Sequence, residues 1–153
     1  MLKFELPNYL EKIDKVLYID GDTIINRCIE PVFDIGIEGK YLAAADDMGD
    51  KIVDGISQNA QRIGLHSSHY FNAGIMYLNL CEMRKDSISE KLWEYRYHGV
   101  NYFMSQDALN FVTREKRAFL PYRFNFLTVV LDNCLIRDIN NMYSERIYTD
   151  VDE

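Results

Sequence analysis

Apolar positions along the chain fall into short blocks that end on acids or turn residues. Residues 15–20, KVLYID, place Val, Leu, Tyr and Ile in a row and close on a carboxylate, the pattern of a buried strand that emerges at its C-terminal end. Residues 40–46, KYLAAAD, predict a second strand ending in acids, and residues 71–80, FNAGIMYLNL, a third. Between these blocks the spacing changes to three and four. Residues 6–13, with Pro7 near the first turn, predict a short helix. Ile52, Val53, Ile56, Ala60 and Ile63 predict a helix over residues 50–65 despite Gly55. Ser87 and Glu90 have the form of a capping box ahead of Ile88, Leu92 and Tyr95, which recur at helical spacing. Ala108, Leu109 and Val112 predict a helix over residues 105–113 with Ser105 as its N-cap. Residues 117–120 and 124–131 read as extended or irregular core segments.

Strands alternating with helices predict an α/β domain with a mainly parallel central sheet. Nothing in the pattern splits the chain, although residues 133–153 are polar and weakly periodic, a tail that stops before a next element. Composition adds that the 153 residues are globular in kind, 48% hydrophobic and 27% charged. A chain of this length buries roughly 70% of its unfolded surface, enough for a core without staples. Seventeen Lys and Arg against 24 Asp and Glu give a net charge of −7, the wrong sign for a nucleic-acid footprint; a polyanionic partner requires an intervening metal. No apolar stretch approaches the roughly 20 residues of a membrane span, and residues 1–10 carry no secretory pattern. Cys28, Cys81 and Cys134 are odd in number and set among apolar residues, as expected of reduced, packed thiols in a cytoplasmic protein.

The sharpest local chemistry is Asp20-Gly21-Asp22, two carboxylates about one glycine where an apolar strand ends. Ligands bind at such strand ends in open α/β sheets, and two hard oxygen donors suit Mg²⁺ or Mn²⁺. A plain strand-to-turn exit accounts for the same tripeptide. With Thr23 it also resembles the nucleophile motif of haloacid-dehalogenase-like phosphatases, but the acidic pair Asp46 and Asp47 follows too closely for that family's intervening motifs. In Phe71-Asn72-Ala73-Gly74 the small pair admits a ligand against the backbone and the Asn72 amide both donates and accepts; a bulged strand start is the structural alternative. Ser105-Gln106-Asp107 opens a predicted helix, where capping explains Ser105 and Asp107 better than it explains Gln106. Tyr95, Tyr97, Tyr102 and Phe103 are suited to sugar stacking but are expected to pack on helix faces and loops, and Tyr122, Phe124 and Phe126 to enter the core.

Together, YIDGD at residues 18–22, YFNAGIMYLNL at 70–80, SQDALN at 105–110 and YRFNF at 122–126 resemble the ordered motifs of glycosyltransferase family 8, the retaining, nucleotide-sugar-dependent family of bacterial lipopolysaccharide galactosyl- and glucosyltransferases and of glycogenin. The resemblance implies an incomplete GT-A fold, with residues 1–132 as the central part of a catalytic domain. It implies that Asp20 and Asp22 hold Mn²⁺ or Mg²⁺ against the diphosphate of a UDP-sugar, with Gly21 beside the ribose. Asn72, Ala73 and Gly74 match the wall against the donor sugar, and Gln106 matches the residue near the anomeric carbon. The implied reaction moves galactose or glucose from a UDP-sugar to a hydroxyl acceptor such as lipopolysaccharide or another glycan.

Two departures qualify the match. Ser105 stands where the family pattern has an Asp that binds a donor-sugar hydroxyl, so a neutral side chain replaces a carboxylate's charge and reach. The family's first nucleotide-binding strand and its His-x-x-Gly-x-x-Lys-Pro-Trp segment are not in this sequence, and His66, His69 and His98 lie in other contexts. The chain is thus expected to be truncated at both ends, with peripheral membrane contact left to the missing C-terminal elements. A non-catalytic remnant of the same family is the alternative of a different class.

Overall fold

The computed structural model describes residues 1–127. Helix α1 (Leu2–Tyr9) leads into strand β1 (Lys15–Ile19); a 3-10 turn at Glu30–Asp34 precedes β2 (Leu42–Asp46). A small hairpin, β3 (Ile52–Val53) and β4 (Ile56–Ser57), runs into the short helix α2 (Gln58–Arg62). Then come β5 (Phe71–Asn79), α3 (Leu80–Lys85), α4 (Ile88–His98), α5 (Ser105–Thr113), β6 (Arg117–Phe119) and a 3-10 turn at Tyr122–Phe124.

Four strands form one sheet in the order β1-β5-β2-β6, an α/β arrangement as the alternating blocks predict. The strand directions correct the expectation of a mainly parallel sheet. β5 runs antiparallel to both β1 and β2, and β2 with β6 is the parallel pair among the described strands. A strand buried on both faces gives a continuous apolar run whichever way its neighbours point, so composition is silent on direction.

Both faces of the sheet are covered. One face presents Leu42, Ala44, Met76 and Leu78 to Phe4 of α1 and to Leu80, Met83, Leu92 and Leu109 of the later helices. The other presents Ala43, Ala45, Ile75 and Tyr77 to Val32, Ile37, Leu120 and Phe124. Tyr122 and Phe124 are buried and Phe126 packs against that second cluster, in line with their expected core role. Among the described residues no helix is long and apolar enough to cross a membrane.

Several local expectations change. Helix α1 occupies residues 2–9 rather than 6–13, so Pro7 lies inside it. Arg84 Nη1 donates to the carbonyl of Pro7 in the last turn of α1 and to those of Leu10 and Ile13 beyond it, at 3.1 to 3.3 Å. The helix expected over residues 50–65 is largely a hairpin, because Asp54 (φ 52°) and Gly55 (φ 77°) form a two-residue turn with both residues at positive φ, the geometry that Asp-Gly favours. Only Gln58–Arg62 is helical, capped by Ser57 Oγ, which accepts from Ala60 N at 2.8 Å. Helix α4 forms where predicted, but Ser87 adopts φ 51° and makes no side-chain cap, so the capping box is not realised. The N-cap of α5 is Met104, not Ser105. Cys28 is exposed and Cys81 half-buried, so Cys28 is not the packed thiol expected. Residues 128–131, the tail at 133–153 and Cys134 lie outside the described residues.

Candidate active site

Strand β1 delivers Asp20 to the sheet's edge, where Asp20 N donates to Gly74 O at 2.8 Å. At the same point the β2–β5 register shifts, Ala44 pairing with Met76 but Asp46 with Phe71. The irregularity falls around Asn72 to Gly74, so the bulged strand start offered for this segment is observed. Asp20, Asp22, Asn72 and Gly74, with Arg123 and Asn125, line one cavity of about 420 Å³. A Cβ at Gly74 would stand 2.8 Å from Asn72 Oδ1 and 3.8 Å from Asp20 Oδ2, so glycine keeps this wall open. Gly21 sits between the acids with open space around it.

The two acids differ. Asp22 is exposed, whereas Asp20 is held at both oxygens: Lys3 Nζ is 3.0 Å from Oδ2 and the Tyr18 hydroxyl donates to Oδ1 at 2.7 Å. Lys3 also donates to Ala73 O at 2.9 Å, tying α1 to the starts of both site segments. Burial first, then the hydrogen bond to Asp20 and the charges of Asp20 and Asp22, push Tyr18 up to about 12, so it remains a phenol that donates at neutral pH. The donor set, two carboxylates opening on a polar cavity, fits a hard cation that keeps water or phosphate oxygens in its remaining positions. Among the described residues no cluster of three or more His, Cys, Asp or Glu forms a self-contained metal cage.

Gln106 approaches from α5. Its Oε1 accepts from Ala73 N at 2.9 Å and its Nε2 donates to Asp47 Oδ2 at 2.9 Å. Asp47 Oδ1 accepts from Gly49 N at 2.9 Å. Asn72 Oδ1 in turn accepts from Gly74 N at 2.8 Å and Asn125 Nδ2 at 3.1 Å. Gln106 therefore ties the Ala73 backbone to Asp47, while Asn72 bridges Gly74 and Asn125; Asn72 and Gly74 line the cavity, and Ala73 and Gln106 stand behind that lining. Ser105, the first residue of α5, is half-buried and does not line the cavity.

Asp47, Lys3 and Asn125, which sequence reasoning did not single out, contact the candidate residues, and of the three Asn125 lines the cavity. Asp47 was visible only as half of an acidic pair, and the structure turns the two acids apart. Asp46 meets His69 Nδ1 at 2.7 Å and Arg117 Nη2 at 3.6 Å, on a different network. His66, His69 and His98 are all exposed and away from the cavity lining. Of the aromatic residues expected to pack, Tyr95 is half-buried and stacks on Phe111 at 4.6 Å, whereas Tyr97, Tyr102 and Phe103 stay exposed, Tyr97 against Trp93 at 5.9 Å.

Burial, the largest influence, raises the Asp47 carboxyl above the usual carboxylate range. The folded protein thus retains a proton that the unfolded chain releases. That group's stabilising contribution is full below its unfolded value and is lost as pH rises through its raised folded value. Urea unfolding across mildly acidic pH is expected to show this downward slope, and Asp47→Asn to remove it. An unchanged slope in the variant would assign it to another group.

Comparison with known proteins gives a consistent picture. The model of the family described as Glycosyl transferase family 8 matches residues 1–148. A putative glycosyltransferase of Haemophilus influenzae is 35% identical over 127 residues, 81% of this chain and 38% of the relative. A lipopolysaccharide 1,2-glucosyltransferase of Escherichia coli K12 is 26% identical over 123 residues, 77% of this chain and 35% of the relative. The crystal structure of the galactosyltransferase LgtC, in complex with donor and acceptor sugar analogs, superposes with a TM-score of 0.78 at 24% identity, covering 97% of this chain and 52% of LgtC. That likeness shows a shared GT-A fold. The chain spans between about a third and a half of the length of these proteins.

Proposed function

This chain belongs to glycosyltransferase family 8, and from that premise we propose that it serves metal-dependent transfer of a hexose, galactose or glucose, from a UDP-sugar to a hydroxyl of lipopolysaccharide or another glycan, with retention at the anomeric carbon. The observation that carries this reading is the convergence of Asp20, Asp22, Asn72 and Gly74 on one cavity. Asp20 and Asp22 would hold Mn²⁺ or Mg²⁺, which when bound offsets the charge developing on the leaving diphosphate.

The chain's own side chains act by position. Lys3 and Tyr18 fix the Asp20 carboxylate from two sides. Asn72 and Gly74 form the wall against the donor sugar, and Gly21 leaves room for the nucleotide. An amide is a weak nucleophile, and both ends of Gln106 are already hydrogen-bonded. These facts favour same-face substitution over a covalent glycosyl-enzyme, for which retaining glycosidases use a carboxylate. The bond from the anomeric carbon to the diphosphate oxygen breaks as the bond to the acceptor oxygen forms on the same face. The acceptor's proton passes to the leaving phosphate, and the protein supplies orientation and electrostatics.

Calorimetric titration of the chain with UDP, with and without Mn²⁺, tests the site, and turnover of UDP-galactose and UDP-glucose tests the reaction. Saturable, Mn²⁺-dependent binding is expected. Its absence would favour a remnant that has lost the donor site.

A further inference from the structure

We propose that Arg62 is a positioning residue for Gln106, acting through the buried carboxylate of Asp107. Asp107 is fully buried and organises the turn into α5: it accepts from the Tyr70 hydroxyl at 2.5 Å, from Tyr102 N at 2.6 Å and from Phe103 N at 2.7 Å. Gln106 is its immediate neighbour, and Gln106 N donates to the carbonyl of Phe103, one of the residues Asp107 holds, at 2.9 Å. The carboxylate therefore fixes the backbone from which the Gln106 side chain reaches Ala73 and Asp47.

A carboxylate removed from water needs a compensating charge. Arg62, arriving on α2, supplies it: Nη2 lies 3.6 Å from Asp107 Oδ1. The guanidinium is held there between two aromatic rings. It lies 4.7 Å from the Tyr102 ring centre and 4.5 Å from that of Phe103, while Nη1 donates to Asn59 Oδ1 at 2.8 Å. Nε and Nη2 are buried and make no hydrogen bond among the described residues. Arg62 thus works by charge and by its cation–π contacts with two rings, which lysine reproduces only in part. It joins the hairpin-and-helix unit at residues 52–62 to the start of α5, so the pose of Gln106 depends on a side chain 44 positions earlier in sequence.

The functional weight of Gln106 rests on the transferase reading, but its pose is measurable without turnover. The test is hydrogen exchange of the Gln106 side-chain amide in the ¹⁵N-labelled full chain, with the signal assigned by its loss in Gln106→Glu and the Met76 backbone amide as internal reference. Arg62→Leu is expected to speed exchange at Gln106 by about ten-fold, and Arg62→Lys by about three-fold, with Met76 unchanged. Wild-type exchange at Gln106 in either variant, or equal acceleration at Met76, overturns the proposal; should Arg62→Leu fail to fold, Arg62→Lys decides by the same comparison. Titrating the same samples with UDP and Mn²⁺ reads the transferase assignment separately. Loss of protection at Gln106 without any UDP binding in the wild type would sink that assignment and leave the role of Arg62 standing.

Discussion

Asp22→Asn is expected to lower Mn²⁺-supported turnover of the UDP-sugar by about 10² to 10³-fold, the scale of removing one preorganised electrostatic partner of a developing charge. Asp22 is exposed, so the substitution disturbs no packing and the melting temperature should stay within about 2 °C of wild type, as for surface changes of roughly ±0.5 kcal/mol. Asp20→Asn should abolish turnover similarly but by a mixed route. It removes a cation ligand and also the charge that Lys3 and Tyr18 orient, so it alone of the two also loosens the contact between α1 and β1. Activity and Mn²⁺-dependent UDP affinity, read beside thermal melting, separate these effects. Wild-type turnover in both variants would remove the cation site from the mechanism.

Phe4→Ala should give the largest loss of stability, about 3 to 5 kcal/mol for an aromatic side chain deleted from a packed core. Phe4 has no exposed surface, lies among the residues covering one sheet face, and meets Trp93 edge-on at a centroid distance of 5.3 Å. At roughly 2 to 4 °C per kcal/mol for a chain of this size, the melting temperature should fall by about 6 to 20 °C. The residue before it is Lys3, so releasing α1 also releases the ammonium that braces Asp20 and the Ala73 carbonyl. A shift of under about 2 °C in calorimetric melting would show that α1 is not part of the cooperative core.

Much of the site was legible because its residues are local in sequence. Asp20 and Asp22 follow directly from an apolar run that ends in a carboxylate, and Asn72 to Gly74 from small residues at the head of another. The helix over residues 88–98 follows from its spacing. Other features rested on pairings between distant segments. Asp47 looks like an ordinary strand-end acid in sequence until α5 brings Gln106 onto it. Lys3 drew no functional reading from sequence, and it reaches Asp20 because Phe4 pins α1 against the sheet. The misread helix at residues 50–65 is a different case, since the Asp54-Gly55 turn was written in the sequence and the weak three-to-four spacing was given more weight.

By itself, then, the sequence determined the fold class, the family, the strand that carries the paired acids and the motifs that face them. These depend on apolar runs, turn residues and short spacings, which are properties of neighbouring positions. Tertiary structure decided strand direction, the hub at Asp47, the brace from Lys3 and the clamp of Arg62 on Asp107. Each of those joins groups distant in sequence, 17 positions apart for Lys3 and Asp20 and 59 for Asp47 and Gln106, where geometry is set by the packing of whole elements and not by the residues between them.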